Sequence, residues 1–444
     1  TSTLDYTVVE YGGHSSSYNE ANIGLSFDGK ASIENSIIRY SENYGIALDD
    51  GETLVAFNNN TLTLNEKSPV YINANAVGML GSDSHYAGNT DDFIKIVGDV
   101  NDNQTWQLLD VDYHMPTSRI AVTARLTIEP GVTLIFPANT QLAIDGSGTL
   151  KAIGTELQPI TFTGIEQSAG YWTGIQFTFN NNANEMDHTI VEYGGGPGGN
   201  VDANVGVFGV DGRLTMRNSI LRHSGKYGFE FYYGIDLTMD NITSTSNVQP
   251  GSIYFRDISQ LGSNGNYTGN SDDRIVAAYS SSATINTDQR VKNVGIPYYV
   301  PYTSSINVYS ALSFEPGVEM QLGSGAGFNI DRNASFAAQG TAEEPIILTG
   351  AQKEKGYWSG IQYTFSDSEA NIIDHAIIEY AGDTSGNTQA LVGFFATPTH
   401  GQITNTILRG SSTNGIWLDS ATTGDFTTGN IFEDIDGENI FIDP

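Results

Sequence analysis

Short apolar runs of three to six residues, separated by Gly, Asn or Asp, follow one another along the whole chain. Extended stretches of Ala, Leu, Glu and Lys at helical spacing are missing. The pattern predicts short β-strands joined by turns, not helices. The runs group into coils of roughly 22–26 residues, such as 30–51, 52–75 and 126–148. A coil of that length cannot enclose a core of its own. It buries its apolar face only by stacking on the next coil, which is the logic of a solenoid. The expected fold is all-β, a parallel β-helix of about seventeen coils running as one body through residues 1–444, with a rise of ~4.8 Å per coil. Coil length and irregular loops point to a right-handed helix, since left-handed ones keep strict hexapeptides.

A longer period overlies the coils. The segment DYTVVEYGG at 5–13 recurs as DHTIVEYGG at 187–195 and as DHAIIEYAG at 374–382, steps of 182 and 187 residues. NSIIR at 35–39 returns as NSILR at 218–222 and NTILR at 405–409. YAGNTDD at 86–92, LTIEPGV at 126–132, PITFTG at 159–164 and YWTGIQF at 171–177 each return once, in the same order. The long repeats are therefore 5–186, 187–373 and a truncated 374–444. The second copy gains five residues between Asp273 and Pro316, an insertion expected in a surface loop. Aligning VVEY with IIRY on successive coils places Glu10 beside Arg39, Glu192 beside Arg222 and Glu379 beside Arg409. Such cross-strand pairs contribute ~0.2–1 kcal/mol each and fix register.

The Asn-Ser/Thr-Ile strand starts and the LTIEPGV coil resemble right-handed parallel β-helix proteins of the pectin-lyase-like type. The PITFTG and YWTGI block resembles large repeat proteins of bacterial cell surfaces. The resemblance implies a secreted or cell-surface location. It leaves activity open, because one fold hosts lyases, hydrolases, adhesins and spacers.

Composition narrows the partners. The chain carries 51 acidic and 19 basic residues, a net charge of −32. That field repels phosphate backbones and anionic membranes and leaves cations and neutral glycans as the better ligands. There are no cysteines, so disulfides and thiolate–metal chemistry are excluded. No apolar run reaches the ~20 residues needed to span a membrane as a helix. The chain opens inside a motif at Thr1, as a processed or excised piece would. Flanking repeats or domains of a parent chain are therefore expected partners.

Candidate chemistry is sparse. A lyase of this fold needs a Lys or Arg base, and Arg39, Arg222 and Arg409 are available. Each already has an expected carboxylate partner and recurs with the repeat, as structural devices do. Asp91-Asp92 and Asp272-Asp273 are acidic pairs of the kind a glycosidase uses; the plainer reading is that they end a loop. Asp99, Asn101, Asn103 and Asp110 partly match a Ca²⁺ loop, but Gln104 stands where Gly is required. Asp434, Asp436 and Glu438 match less well. His188 and His375 follow Asp in two copies, where the first has Tyr6. Aromatics are the sharpest signal. Tyr171, Trp172, Tyr357 and Trp358 recur, and Tyr298 and Tyr299 lie in the inserted loop with Arg290 and Lys292. Exposed, these rings would stack on sugars; buried, they would fill a wide coil.

The expected function is a non-enzymatic extracellular structural or adhesive domain that contacts a polysaccharide or a cell-surface protein. The alternatives are a polysaccharide lyase or glycoside hydrolase and a Ca²⁺-dependent structural module.

Overall fold

A computed structural model describes residues 1–14, 20–116, 119–179, 182–209, 211–232, 234–278, 283–301, 305–383, 388–396 and 398–443. About 50% of the chain is strand and 2% helix. The described strand pairs are parallel, and the sheets build a parallel β-solenoid of roughly 13–17 coils. By contacts the chain divides into two compact units, Thr1–Glu230 with Ile235–Val248, and Phe231–Gly234 with Gln249–Pro444. Among the described residues no helix is long and apolar enough to cross a membrane.

Each unit is held by columns of inward side chains, one from each coil. In the first, Ile46, Val70, Ile94, Tyr113, Leu134, Phe162, Val191 and Leu221 lie in direct register and are essentially sealed from solvent. In the second, Ile275, Tyr298, Met320, Leu348, Ile378 and Leu408 do the same. No coil could bury this surface alone, so the apolar runs fold only as a stack.

The Asn of the NSI motif has a physical reason. Asn35, Asn218 and Asn405 sit at a tight corner with φ of 50, 46 and 49°. Asn tolerates that left-handed conformation better than other residues with a Cβ. Its side chain also joins coils: Asn35 Nδ2 donates to Asp5 Oδ1 and Asn59 Nδ2 to Asn35 Oδ1, at 2.9 and 2.8 Å. The corner is rebuilt in the later copies, where Asn218 donates to Asp187 and Asn405 to Asp374, both at 2.9 Å. The following Ser36 and Ser219 point inward and accept the backbone N–H of Thr7 and Thr189, both at 3.1 Å.

One core position works against stability. Tyr363 is fully buried and its hydroxyl finds no partner among the described residues. The first copy has Phe177 there. Tyr363→Phe should therefore stabilise the protein by about 1 kcal/mol, as removal of an unsatisfied buried hydroxyl does. A denaturant midpoint that falls instead would show that the hydroxyl has a partner.

Candidate functional site

Burial corrects the expectation for the recurrent tryptophans. Trp172 and Trp358 are both 0% exposed. Trp172 stacks on Phe136 with ring centroids 4.1 Å apart. The two indole N–H groups donate to the carbonyls of Glu192 and Glu379 at 2.7 and 2.8 Å. Tyr298 is likewise sealed, its hydroxyl donating to Lys292 O at 2.8 Å. These three residues cannot stack on a sugar. Tyr171 and Tyr357 are half-buried and lean on Gly164 and Gly350. Tyr299 is half-buried beneath the Arg274 guanidinium, 4.4 Å from its ring centre.

The calcium loop also needs correction. Asp99 Oδ1 accepts from Ala121 N, Asn101 Oδ1 from Thr123 Oγ1, and Asn103 Oδ1 from Arg125 N, at 2.7, 2.8 and 3.0 Å. Asp110 accepts from Tyr86 N at 3.0 Å and faces His85. The four side chains are turned to separate neighbours on adjacent coils. Among the described residues no group of three or more His, Cys, Asp or Glu could hold a metal ion. Between Asp434 and Asp436 lies the Lys355 ammonium, 2.6 and 2.7 Å from them, where a bound cation would have to sit.

Most of the remaining charged candidates have structural partners. Glu10, Glu192 and Glu379 lie opposite Arg39, Arg222 and Arg409 in the ladders, at 2.8, 2.6 and 2.5 Å. Asp92 and Asp273 accept backbone N–H groups of Asn89 and Asn270, both at 2.7 Å, and so tie off their loops. His188 and His375 bond the adjacent Asp187 and Asp374 at 2.7 and 2.9 Å. In the inserted segment, Arg290 pairs with Glu315 at 3.1 Å and Lys292 donates to Leu261 O at 3.0 Å. Residues 279–282 and 302–304 of that segment lie outside the described residues.

A different set of residues forms an open groove of about 320 Å³ in the second unit. Its floor is the outward side of three stacked strands, Ser305–Val308, Gly327–Asp331 and Gly360–Thr364. Asn307, Asn329 and Gln362 occupy one register column there. Asn329 Nδ2 donates to Asn307 Oδ1 at 3.2 Å, and Gln362 Nε2 to Thr364 Oγ1 at 3.0 Å. An amide carries two N–H donors and a carbonyl, so much of the ladder's bonding capacity faces outward. Tyr309 and Phe365 form the walls and are 50% and 38% exposed. The Arg332 guanidinium covers the Phe365 ring at 4.9 Å, with Asp331 beside it. The open aromatic face is therefore that of Tyr309.

Part of the groove is specific to one copy of the repeat. The offset of 186 residues that aligns 126–132 with 312–318 puts Ala121, Thr123, Ala143 and Gly146 where the second copy has Asn307, Tyr309, Asn329 and Arg332. The ladders agree, since Ala121 pairs with Ala143 and Ala143 with Gln176. The backbone recurs together with Asp145, Gln176, Thr178 and Phe179, the counterparts of Asp331, Gln362, Thr364 and Phe365, whereas Asn307, Tyr309, Asn329 and Arg332 stand only in the second copy. No protein-family model matches the chain, and no curated protein matches it.

The first unit carries its own copy-specific face. Tyr71, Lys95 and His114 are register neighbours on three successive strands, all facing outward. Their counterparts in the second copy are Ser252, Val276 and Tyr299. His114 lies flat on Phe93 with centroids 3.6 Å apart. Burial pushes its pKa down to about 4 from 6.5, Asp91 opposing the shift and Lys95 adding to it. The folded state thus favours neutral His114, and its contribution to stability is full above about pH 6.5 and lost as pH falls toward 4. His114→Phe should flatten that part of the stability–pH curve. An unchanged slope between those pH values would contradict the assignment.

Proposed function

We propose that the chain is a non-enzymatic, glycan-contacting β-solenoid segment of a secreted or cell-surface protein, and that the groove at Asn307, Asn329, Gln362 and Tyr309 makes the contact. The observation that carries this reading is the restriction of four groove side chains, Asn307, Tyr309, Asn329 and Arg332, to one copy. Structural devices such as the Glu–Arg pairs recur in every copy, whereas these side chains replace two alanines, a threonine and a glycine on the same backbone. Amide side chains answer the paired donor and acceptor character of sugar hydroxyls, and the Tyr309 ring offers a stacking face. Among the described residues the groove holds one carboxylate, Asp331, where a glycosidase needs two across the scissile bond. The net charge of −32 favours neutral sugars over polyanions.

The test is a glycan array run alongside polysaccharide depolymerisation assays, each with and without Ca²⁺. Binding of neutral glycans without new reducing ends or unsaturated products is the expected result. Product formation would replace the reading with an enzyme, and silence on every glycan would remove it.

A further inference from the structure

We propose that the outward column Tyr71, Lys95 and His114 of the first unit is a second binding site, one that takes an isolated carboxylate group of a sugar acid. The column brings a phenol, an ammonium and an imidazole onto three adjacent strands, ~4.8 Å apart. No acceptor side chain of the column comes between these donors. Lys95 is exposed, and among the described residues it forms no ion pair with a carboxylate. Its ammonium is instead held by the Tyr44 hydroxyl at 3.2 Å. That fixes its position without neutralising its charge. The second ammonium over the Tyr44 ring, Lys67 at 5.1 Å, is neutralised by Glu20 at 3.1 Å. The Phe93 ring holds the His114 imidazole flat, so a neutral ring presents an N–H at a set angle.

The floor is apolar and aromatic, with Tyr44 and Ala21 shared with the second copy as Tyr227 and Ala203. Tyr44 and Tyr71 rings lie 5.1 Å apart, and Tyr44 packs with Ala21 and Ala47 in a small apolar cluster outside the main core. A sugar ring could rest on this surface with its carboxylate turned to Lys95 and His114. Charge limits the ligand further. Asp49 acts on Tyr71 and Asp91 on His114, and the whole chain carries −32. A polyuronate is repelled by that field, whereas a single carboxylate on an otherwise neutral sugar meets the local ammonium at short range.

The experiment is a titration of the intact chain with glucuronate, with glucose, and with polygalacturonate as separate probes. It is followed by calorimetry and by the His114 ring resonances. Glucuronate should bind at least roughly tenfold more tightly than glucose, shift the His114 resonances, and bind no less tightly than polygalacturonate does per sugar. Lys95→Met should remove that tenfold preference and Lys95→Arg should keep it, both with the wild-type melting midpoint, since Lys95 is exposed. Equal binding of glucose and glucuronate, or a preference that survives Lys95→Met, would overturn the site. Tighter binding of the polyuronate would overturn the single-carboxylate assignment. The Lys95→Met difference separates this site from the groove at Asn329, which takes neutral sugars and is untouched by that substitution.

Discussion

Trp172→Ala and Trp358→Ala should each lower the free energy of unfolding by about 3–5 kcal/mol, the range for deleting a large aromatic from a packed core. Both indoles are sealed from solvent. The loss adds two terms. The cavity left beside Phe136 cannot collapse, because the strands on both sides are locked by their ladders. The carbonyls of Glu192 and Glu379 also lose their indole donors. Glycan binding in the groove should persist in whatever fraction of the variant remains folded. Chemical denaturation of the two variants checks the prediction; a change below about 1 kcal/mol, the ordinary value for surface substitutions, would mean that the rings are not core residues.

The second large effect separates three ion pairs that look identical in sequence. Arg409→Met should cost about 3–5 kcal/mol, because it strands a carboxylate that has little water around it. The Glu379 side chain is 7% exposed and, among the described residues, keeps the Thr349 hydroxyl at 2.8 Å. Arg39→Met should cost under about 1 kcal/mol, since its partner Glu10 is 33% exposed and open to water. Arg222→Met should approach the Arg409 value, with Glu192 at 10% exposure and Thr163 at 2.9 Å. Pairing Arg409→Met with Glu379→Gln should recover most of the loss. Equal costs at all three positions would show that burial does not set the value of the pair.

Architecture and register were legible because the stacking logic repeats. Apolar runs at coil spacing require a parallel stack, and VVEY above IIRY places Glu10 against Arg39 in one ladder. The Asn corners were legible as a motif, and the left-handed backbone explains why Asn stands there. Exposure was not legible. Trp172 and Trp358 follow a tyrosine in a loop, and nothing in YWTG says which ring enters the core. The calcium pattern misled for a related reason: Asp99, Asn101 and Asn103 are turned to backbone and hydroxyl donors on the next coil, a geometry that spacing along one coil does not report. The groove escaped because Asn307, Asn329 and Gln362 come from three coils and share no local motif. Differences between the copies at outward positions were the available signal. Asn against Ala at 329 and 143, and Lys against Val at 95 and 276, stand out once the copies are aligned.

The most direct test of the central claim uses the first copy as its own control. Asn307→Ala, Tyr309→Thr, Asn329→Ala and Arg332→Gly together write the first copy's residues onto the second copy's backbone. That backbone accepts them at Ala121, Thr123, Ala143 and Gly146. Affinity electrophoresis of wild type and this variant in gels containing the neutral polysaccharide selected on the array is the measurement. The account predicts retarded wild-type protein and an unretarded variant with an unchanged melting midpoint. Equal retardation of the two would contradict it and move the glycan contact away from the groove.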